Sequence, residues 1–274
     1  MKDLHELLNR SVILIDKPKG PTSFDIVEAV SKALDVKKAG HTGTLDPNAT
    51  GLMVIALGEA RKAMSVLTGM HKEYIGTMSI HEDVGKETVE KALNEFQGKI
   101  TQMPPVRSAV ARKERVREVF EIELIDKNER NVRFRVLCEA GTYMRKIAHD
   151  AGEKMGTGAH LSELRRTKVG PFSTEHSVSP DSLKDMPEDK LRGLLIPIED
   201  ALRRLKIPSL TIKNDSVSKI MNGAPVRKDD ITGASGNVEE GSCITVFSEE
   251  GKLVCLARYI KNGDTVARTD RVFL

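Results

Sequence analysis

The chain has 274 residues, enough to bury a substantial core as one large domain or two smaller ones. Its 43 Lys and Arg nearly balance 40 Asp and Glu, so a net charge of +3 announces no nucleic-acid partner and only local clustering could. Cys138, Cys243 and Cys255 are scattered, as are the seven histidines, which argues against a disulfide framework or a metal site, and no run reaches the roughly 20 apolar residues that cross a bilayer; the expectation is a soluble, cytoplasmic protein.

In chain order, Val12 to Ile15 reads as a buried strand that ends in the Pro- and Gly-rich loop Asp16-Lys17-Pro18-Lys19-Gly20-Pro21. Thr22 and Ser23 are candidate caps for a helix carrying Ile26, Val30 and Leu34 at helical spacing. Leu52 to Leu57 predicts a second buried strand, and about Glu59 to Leu67 a helix. Glu73 to Ile80 has strand character, and Val89, Leu93 and Phe96 mark the apolar face of another helix. Phe120 to Ile125 and Val132 to Leu137 predict a hairpin around a polar turn at Asp126 to Asn131, with Val132, Phe134 and Val136 alternating with Arg133 and Arg135. A helix is expected from about Thr142 to Met155. Hairpin-joined strands mixed with helices indicate an α+β fold with a mixed, largely antiparallel sheet. Beyond a boundary near Arg203 to Pro208 the pattern changes to short strands at Cys243 to Phe247, Leu253 to Tyr259 and Thr265 to Ala267, the pattern of a small β-barrel or sandwich. The expected division is 1–204 and 205–274, with the two parts packed together.

The most specified loop is Gly40 to Met53, GHTGTLDPNATGLM, in which Asp46 stands among glycines, threonines and Pro47 directly before an apolar strand. Glycines permit unusual backbone shapes, proline stiffens the turn, and threonine hydroxyls can bond locally. Two readings of these residues stand: a catalytic acid held in place, or an acid that caps backbone amides in a rigid turn.

Five elements in a fixed order resemble those of the TruB/dyskerin pseudouridine synthases. They are Asp16 to Ser23, the Gly40 to Met53 run, Lys72-Glu73-Tyr74, Gly141-Thr142-Tyr143-Met144-Arg145, and Leu164-Arg165-Arg166-Thr167. Together they span residues 12 to 172, and Asn222-Gly223-Ala224 through Gly241 to Tyr259 resembles a PUA RNA-binding domain. Met103 to Val110 and the short Arg112 to Arg117 passage are similar to the dyskerin type. His81 to Lys86 departs from the acidic segment of stand-alone TruB enzymes, and Gly51-Leu52-Met53-Val54-Ile55 departs from the usual Leu-Pro. The short N-terminal lead and absence of long basic tails are closest to the archaeal form.

That resemblance implies isomerisation of uridine to pseudouridine, without redox change, cofactor or metal. It implies Asp46 as the essential carboxylate, which attacks the sugar or the base or takes a sugar proton, and Arg145 as its salt-bridge partner. It implies that Tyr74 stacks on the flipped uracil. Leu164 either lines the uracil pocket or packs in the core, and His41 either holds opened RNA or satisfies its own loop. Lys17 is placed with the substrate-binding group, chiefly as support beneath the catalytic loop. Arg107, Arg112, Lys113, Arg115 and Arg117 oppose only Glu114 and Glu118 between Met103 and Glu118, a local basic cluster suited to RNA phosphates or to a solvated face. Lys219, Arg227 and Lys228 are weaker candidates in the tail. The implied partners are an H/ACA guide RNA, target rRNA or tRNA, and three small proteins: a zinc-ribbon-like peptide, a β-barrel subunit and a kink-turn binder. A stand-alone enzyme acting on the tRNA TΨC loop, and a non-catalytic RNA-binding scaffold, are the alternatives.

Overall fold

A computed structural model describes residues 3–103 and 113–273. The chain runs α1 (Leu4–Asn9), β1 (Ser11–Lys17), α2 (Ser23–Ala33), β2 (Ala39–His41), β3 (Thr50–Leu57), α3 (Met64–Thr68), β4 (Lys72–Ile80) and α4 (Lys86–Asn94). It continues through β5 (Gly98–Gln102), β6 (Arg115–Asn128), β7 (Asn131–Cys138), α5 (Met144–Met155), β8 (Ala159–Val169) and β9 (Phe172–Ser173). Then come α6 (Glu188–Leu194), β10 (Ile196–Pro197) and α7 (Ile198–Arg204). The last part holds β11 (Ser209–Ile212), α8 (Asn214–Met221), β12 (Val226–Arg227), β13 (Ile231–Ser235), β14 (Cys243–Ser248), β15 (Leu253–Asn262) and β16 (Thr265–Val272).

The first sheet has the order β10-β1-β3-β8-β4-β7-β6-β5, with β2 beside β3 and β9 beside β8. Its named pairs are antiparallel except β3 with β8. The apolar runs of β1 and β3 are explained by burial on both faces. Ile13, Ile15, Met53, Ile55 and Leu57 join α2, α4 and α5 on one face. Val12, Leu14, Leu52, Val54 and Ala56 face the other way, against α7 and the second sheet. In β7 only alternate residues are buried, so Val132, Phe134 and Val136 alternate with arginines as expected. The second sheet, β12-β16-β15-β14-β11-β13, has its own core around Ile212, Ile220, Val246, Cys255 and Ala267.

Several expected elements take a different form. The helix expected over 59–67 is a 3₁₀ helix, Gly58–Ala63, followed by α3; Ala60 and Ala63 bury together at the three-residue spacing that suits the tighter turn. Thr22 does cap α2, in a reciprocal box with Asp25. Phe96 lies just past α4, and the helix expected from Thr142 starts at Met144. The hairpin turn narrows to Glu129 and Arg130, because β6 continues to Asn128 and Glu129 takes a positive φ of 49°. Strand β8 was not legible as a strand. Its sequence, AHLSELRRTKV, lacks an apolar alternation because its charges find partners across the sheet: Arg165 with Asp16, and Lys168 with Glu73.

Candidate active site

Asp46 sits in the loop between β2 and β3, and several distant segments hold that loop. Ser23, at the start of α2, accepts the Leu45 N–H through its hydroxyl (2.8 Å) and donates to the Leu45 carbonyl (3.0 Å). The Ala49 N–H closes a turn onto the Asp46 carbonyl, and Gly20 N–H bonds the Pro47 carbonyl. Lys17 is fully buried beneath the loop, its ammonium donating to the carbonyls of Pro18 (3.0 Å), Pro47 (3.1 Å) and Ala49 (2.8 Å). Burial pulls its pKa down, and the Asp46 charge acts in the opposite direction.

From the other side, Arg166 of β8 donates to the carbonyls of Leu52 (2.7 Å) and Gly43 (3.0 Å) and stands opposite Tyr74 in the pairing of β4 with β8. Its backbone approaches so closely that a β-carbon on Gly51 would lie 2.2 Å from the Arg166 carbonyl oxygen. Gly51 also has a φ of +105°, so both the fold and the contact require glycine there. Thr42 is buried in the same loop, its hydroxyl without a partner among the described residues.

Arg145 enters from the first turn of α5. Buried Gln102 clamps the residue before the helix, accepting the Tyr143 N–H (2.9 Å) and donating to the Tyr143 carbonyl (3.2 Å). The Arg145 Nε then lies 3.1 Å from Asp46 Oδ2, with the two side chains 46% and 49% exposed. A half-exposed pair of this kind adds at most about 1 kcal/mol to stability. Its value is orientation of an accessible carboxylate. Tyr74 on β4 is buried, and burial, partly opposed by the Arg166 charge, holds its phenol above the ordinary value and therefore protonated.

Asp46, Tyr74, Arg145 and Leu164 line one open pocket of about 400 Å³, together with Thr42, Lys72 and Arg166. This volume suits a single nucleobase with part of its sugar. His41 stands beside the site rather than in its lining. Its Nδ1 accepts the Gly43 N–H (3.2 Å), and burial, with the Arg166 charge, lowers its pKa. Among the basic cluster, Arg107 and Arg112 lie outside the described residues. Lys113 is exposed, and Arg117 faces Glu139 at 3.7 Å. In the tail, Lys219 pairs with buried Asp230 (2.5 Å), Lys228 approaches Asp264 (3.8 Å), and Arg227 is exposed. Sequence reasoning assigned no role to Lys72 or Arg166. Both stand inside quoted motifs, but burial of a lysine or arginine leaves no mark in sequence. Among the described residues no group of three or more His, Cys, Asp or Glu could hold a metal, and no helix is long and apolar enough to cross a membrane.

Residues 31–144 match the N-terminal domain of the TruB family pseudouridylate synthases, 145–203 the C-terminal domain of tRNA pseudouridylate synthase B, and 208–272 the PUA domain. A probable tRNA pseudouridine synthase B of Methanopyrus kandleri is 39% identical over 263 residues, covering 93% of this chain and 77% of the relative. Its counterpart in Methanothermobacter thermautotrophicus is 38% identical, covering 98% and 85%. Among solved structures, a Cbf5-Nop10-Gar1 complex contains a chain with a TM-score of 0.90 and 34% identity, covering 100% of this chain and 88% of that one. An H/ACA RNP bound to a substrate RNA containing 2′-deoxyuridine matches with a TM-score of 0.88 and 31% identity, over 100% and 88%.

Proposed function

The chain belongs to the TruB family of pseudouridylate synthases, and from that membership we propose that it isomerises uridines selected by an H/ACA guide RNA. The observation that carries the chemistry is the accessible Asp46 carboxylate, aligned by Arg145 at 3.1 Å in a pocket shared with Tyr74 and Leu164. Asp46 serves as the essential carboxylate and Arg145 orients it. Tyr74 stacks on the extruded uracil, where base–aromatic stacking contributes about 1–3 kcal/mol. Leu164 lines the base pocket. Lys17 supports the Asp46 loop from below, and His41 steadies the neighbouring Gly43 turn. Arg107, Arg112 and Lys113 supply phosphate contacts.

The guided reading is supported by likeness over the whole chain to the protein in Cbf5-Nop10-Gar1 and H/ACA RNP structures. Residues 1–204 act as the catalytic part and 205–274 as the PUA part that grips the guide, with companion proteins of the Nop10 and Gar1 kind. The archaeal relatives support a cytoplasmic site in a cell without a nucleus. The relatives' names as tRNA pseudouridine synthases favour a second reading, direct action on tRNA. Single-turnover assays with unmodified tRNA and with a guide-target pair, each with and without companion proteins, separate the two. Efficient tRNA conversion by the chain alone would reject guidance. Asp46→Ala should lower the rate about a thousandfold or more in either setting while particle assembly persists; unchanged activity would sink the catalytic assignment.

A further inference from the structure

Three cations surround the Asp46 loop from within the protein. Lys17, Arg166 and Lys72 are 0%, 1% and 4% exposed, and among the described residues none has a carboxylate within ion-pair distance. Their donors go to backbone carbonyls: Lys17 to those of Pro18, Pro47 and Ala49, Arg166 to Leu52 and Gly43, Lys72 to Thr68 (2.7 Å) and Met70 (2.6 Å). Buried charges without counter-ions are costly, and carbonyl dipoles offset only part of that cost. Among the described residues Asp46 is the one carboxylate in the pocket lining, and Arg145 already faces it. The pocket therefore carries an excess of buried positive charge. RNA phosphates are not what it meets, because groups this buried do not reach a solvated backbone. What enters the pocket is the base.

Resting on the reading of this pocket as the uridine site, we propose that Lys72 and Arg166, backed by Lys17, stabilise the negative charge that collects on the uracil during its detachment. When the N1–C1′ bond breaks, its electron pair stays with the base, and the charge spreads over N1, O2 and O4. C1′ is compensated by a bond to an Asp46 oxygen, or by loss of the C2′ proton to that oxygen. After the base turns, a ring electron pair forms the C5–C1′ bond as the Asp46–C1′ bond breaks, its pair returning to the carboxylate, or as the proton returns from Asp46 to C2′. N1 then gains a proton, and C5 loses one. If Asp46 instead adds to C6, the displaced pair runs to O4 and flows back when that bond breaks. In each case charge rises on the ring, where fixed cations in a dry site act most strongly.

Lys72 is the member that titrates in an accessible range. Burial, reinforced by the Arg166 charge, lowers its pKa to about 8. The groups facing it are Arg166 from β8 and Cys138 from β7, whose thiol burial pushes up to about 12; Tyr74, on its own strand, and the Asp46–Arg145 pair share the pocket. Single-turnover rates should be measured from pH 6 to 9.5 on the substrate that wild type converts, using wild type, Lys72→Met and Lys72→Arg in the assembled particle. Wild type should slow above about pH 8, and Lys72→Arg should lose that decline. Lys72→Met should be about a hundredfold slower at pH 7 with RNA affinity within about twofold. Its deficit should shrink on a target 5-fluorouridine, whose ring carries negative charge more readily, a change that a general packing defect would not produce. Wild-type rates that hold level to pH 9.5, an alkaline decline that persists in Lys72→Arg, or a full-speed Lys72→Met would each overturn the proposal. If Lys72→Met does not fold, the pH profiles of wild type and Lys72→Arg still decide. A wild type inactive on every uridine substrate would instead defeat the reading of the site.

Discussion

At the scale of single residues, Gly51 shows how one position without a side chain builds the site. It is the point where β3 meets β8 in parallel, opposite Arg166, and the backbones approach too closely for any β-carbon. Gly51→Ala should cost about 3 kcal/mol, from both the clash and the positive φ. It should also lower activity beyond that loss, because moving β8 moves Arg166, which holds the Gly43 carbonyl and pairs opposite Tyr74. Urea unfolding checks the first expectation, and a rate measured well below the melting temperature checks the second. A variant as stable as wild type would show that the strands can separate without penalty.

Among the elements, the central question is what holds β4 between β7 and β8, since Tyr74 and Lys72 project from it. Glu73 answers for the opposite face. Its carboxylate accepts from Arg135 of β7 (3.1 Å) and from Thr167 (2.8 Å) and Lys168 (3.1 Å) of β8. Burial raises its pKa, but these bonds outweigh burial and leave it below the ordinary 4.5. A depressed carboxylate stabilises the fold above its unfolded value and loses that contribution as pH falls through the folded one. Glu73→Gln should therefore cost about 2 kcal/mol at pH 7, and the gap to wild type should narrow progressively below pH 4.5. Denaturation curves at pH 7 and pH 3.5 test this, and an equal gap at both would deny the charge its role.

For the whole molecule, the two sheets share one apolar layer. Phe247, Leu253 and Leu256 from the second sheet, with Phe273 just past β16, pack with Val12, Leu14, Leu52 and Val54 of the first and with Ile198, Ala201 and Leu202 of α7. Arg10 adds a polar link, donating to Glu199 (2.9 Å) and to the Leu253 carbonyl (3.4 Å). Because β3 follows the Asp46 loop directly, packing of the second sheet supports the strand that carries the site. Phe273→Ala should cost about 3–5 kcal/mol and lower the melting temperature of the entire chain in one calorimetric transition. A separate early transition, with catalysis intact, would mean that the parts are energetically independent.

The sequence by itself determined the buried strands around 12–15 and 52–57, the capped helix at Thr22, the alternating hairpin arm and the loop that carries Asp46. Those features depend on local turn chemistry and on periodicity, which are written into neighbouring residues. Family resemblance added Arg145, Tyr74 and Leu164 to that loop. Only the tertiary structure decided that polar β8 runs between β3 and β4, and that Lys17, Lys72 and Arg166 are buried without carboxylate partners among the described residues. The physical reason is that a charged residue reads as exposed until its surroundings are assembled. Its partners here are backbone carbonyls from distant segments, and carbonyls are the same in every sequence.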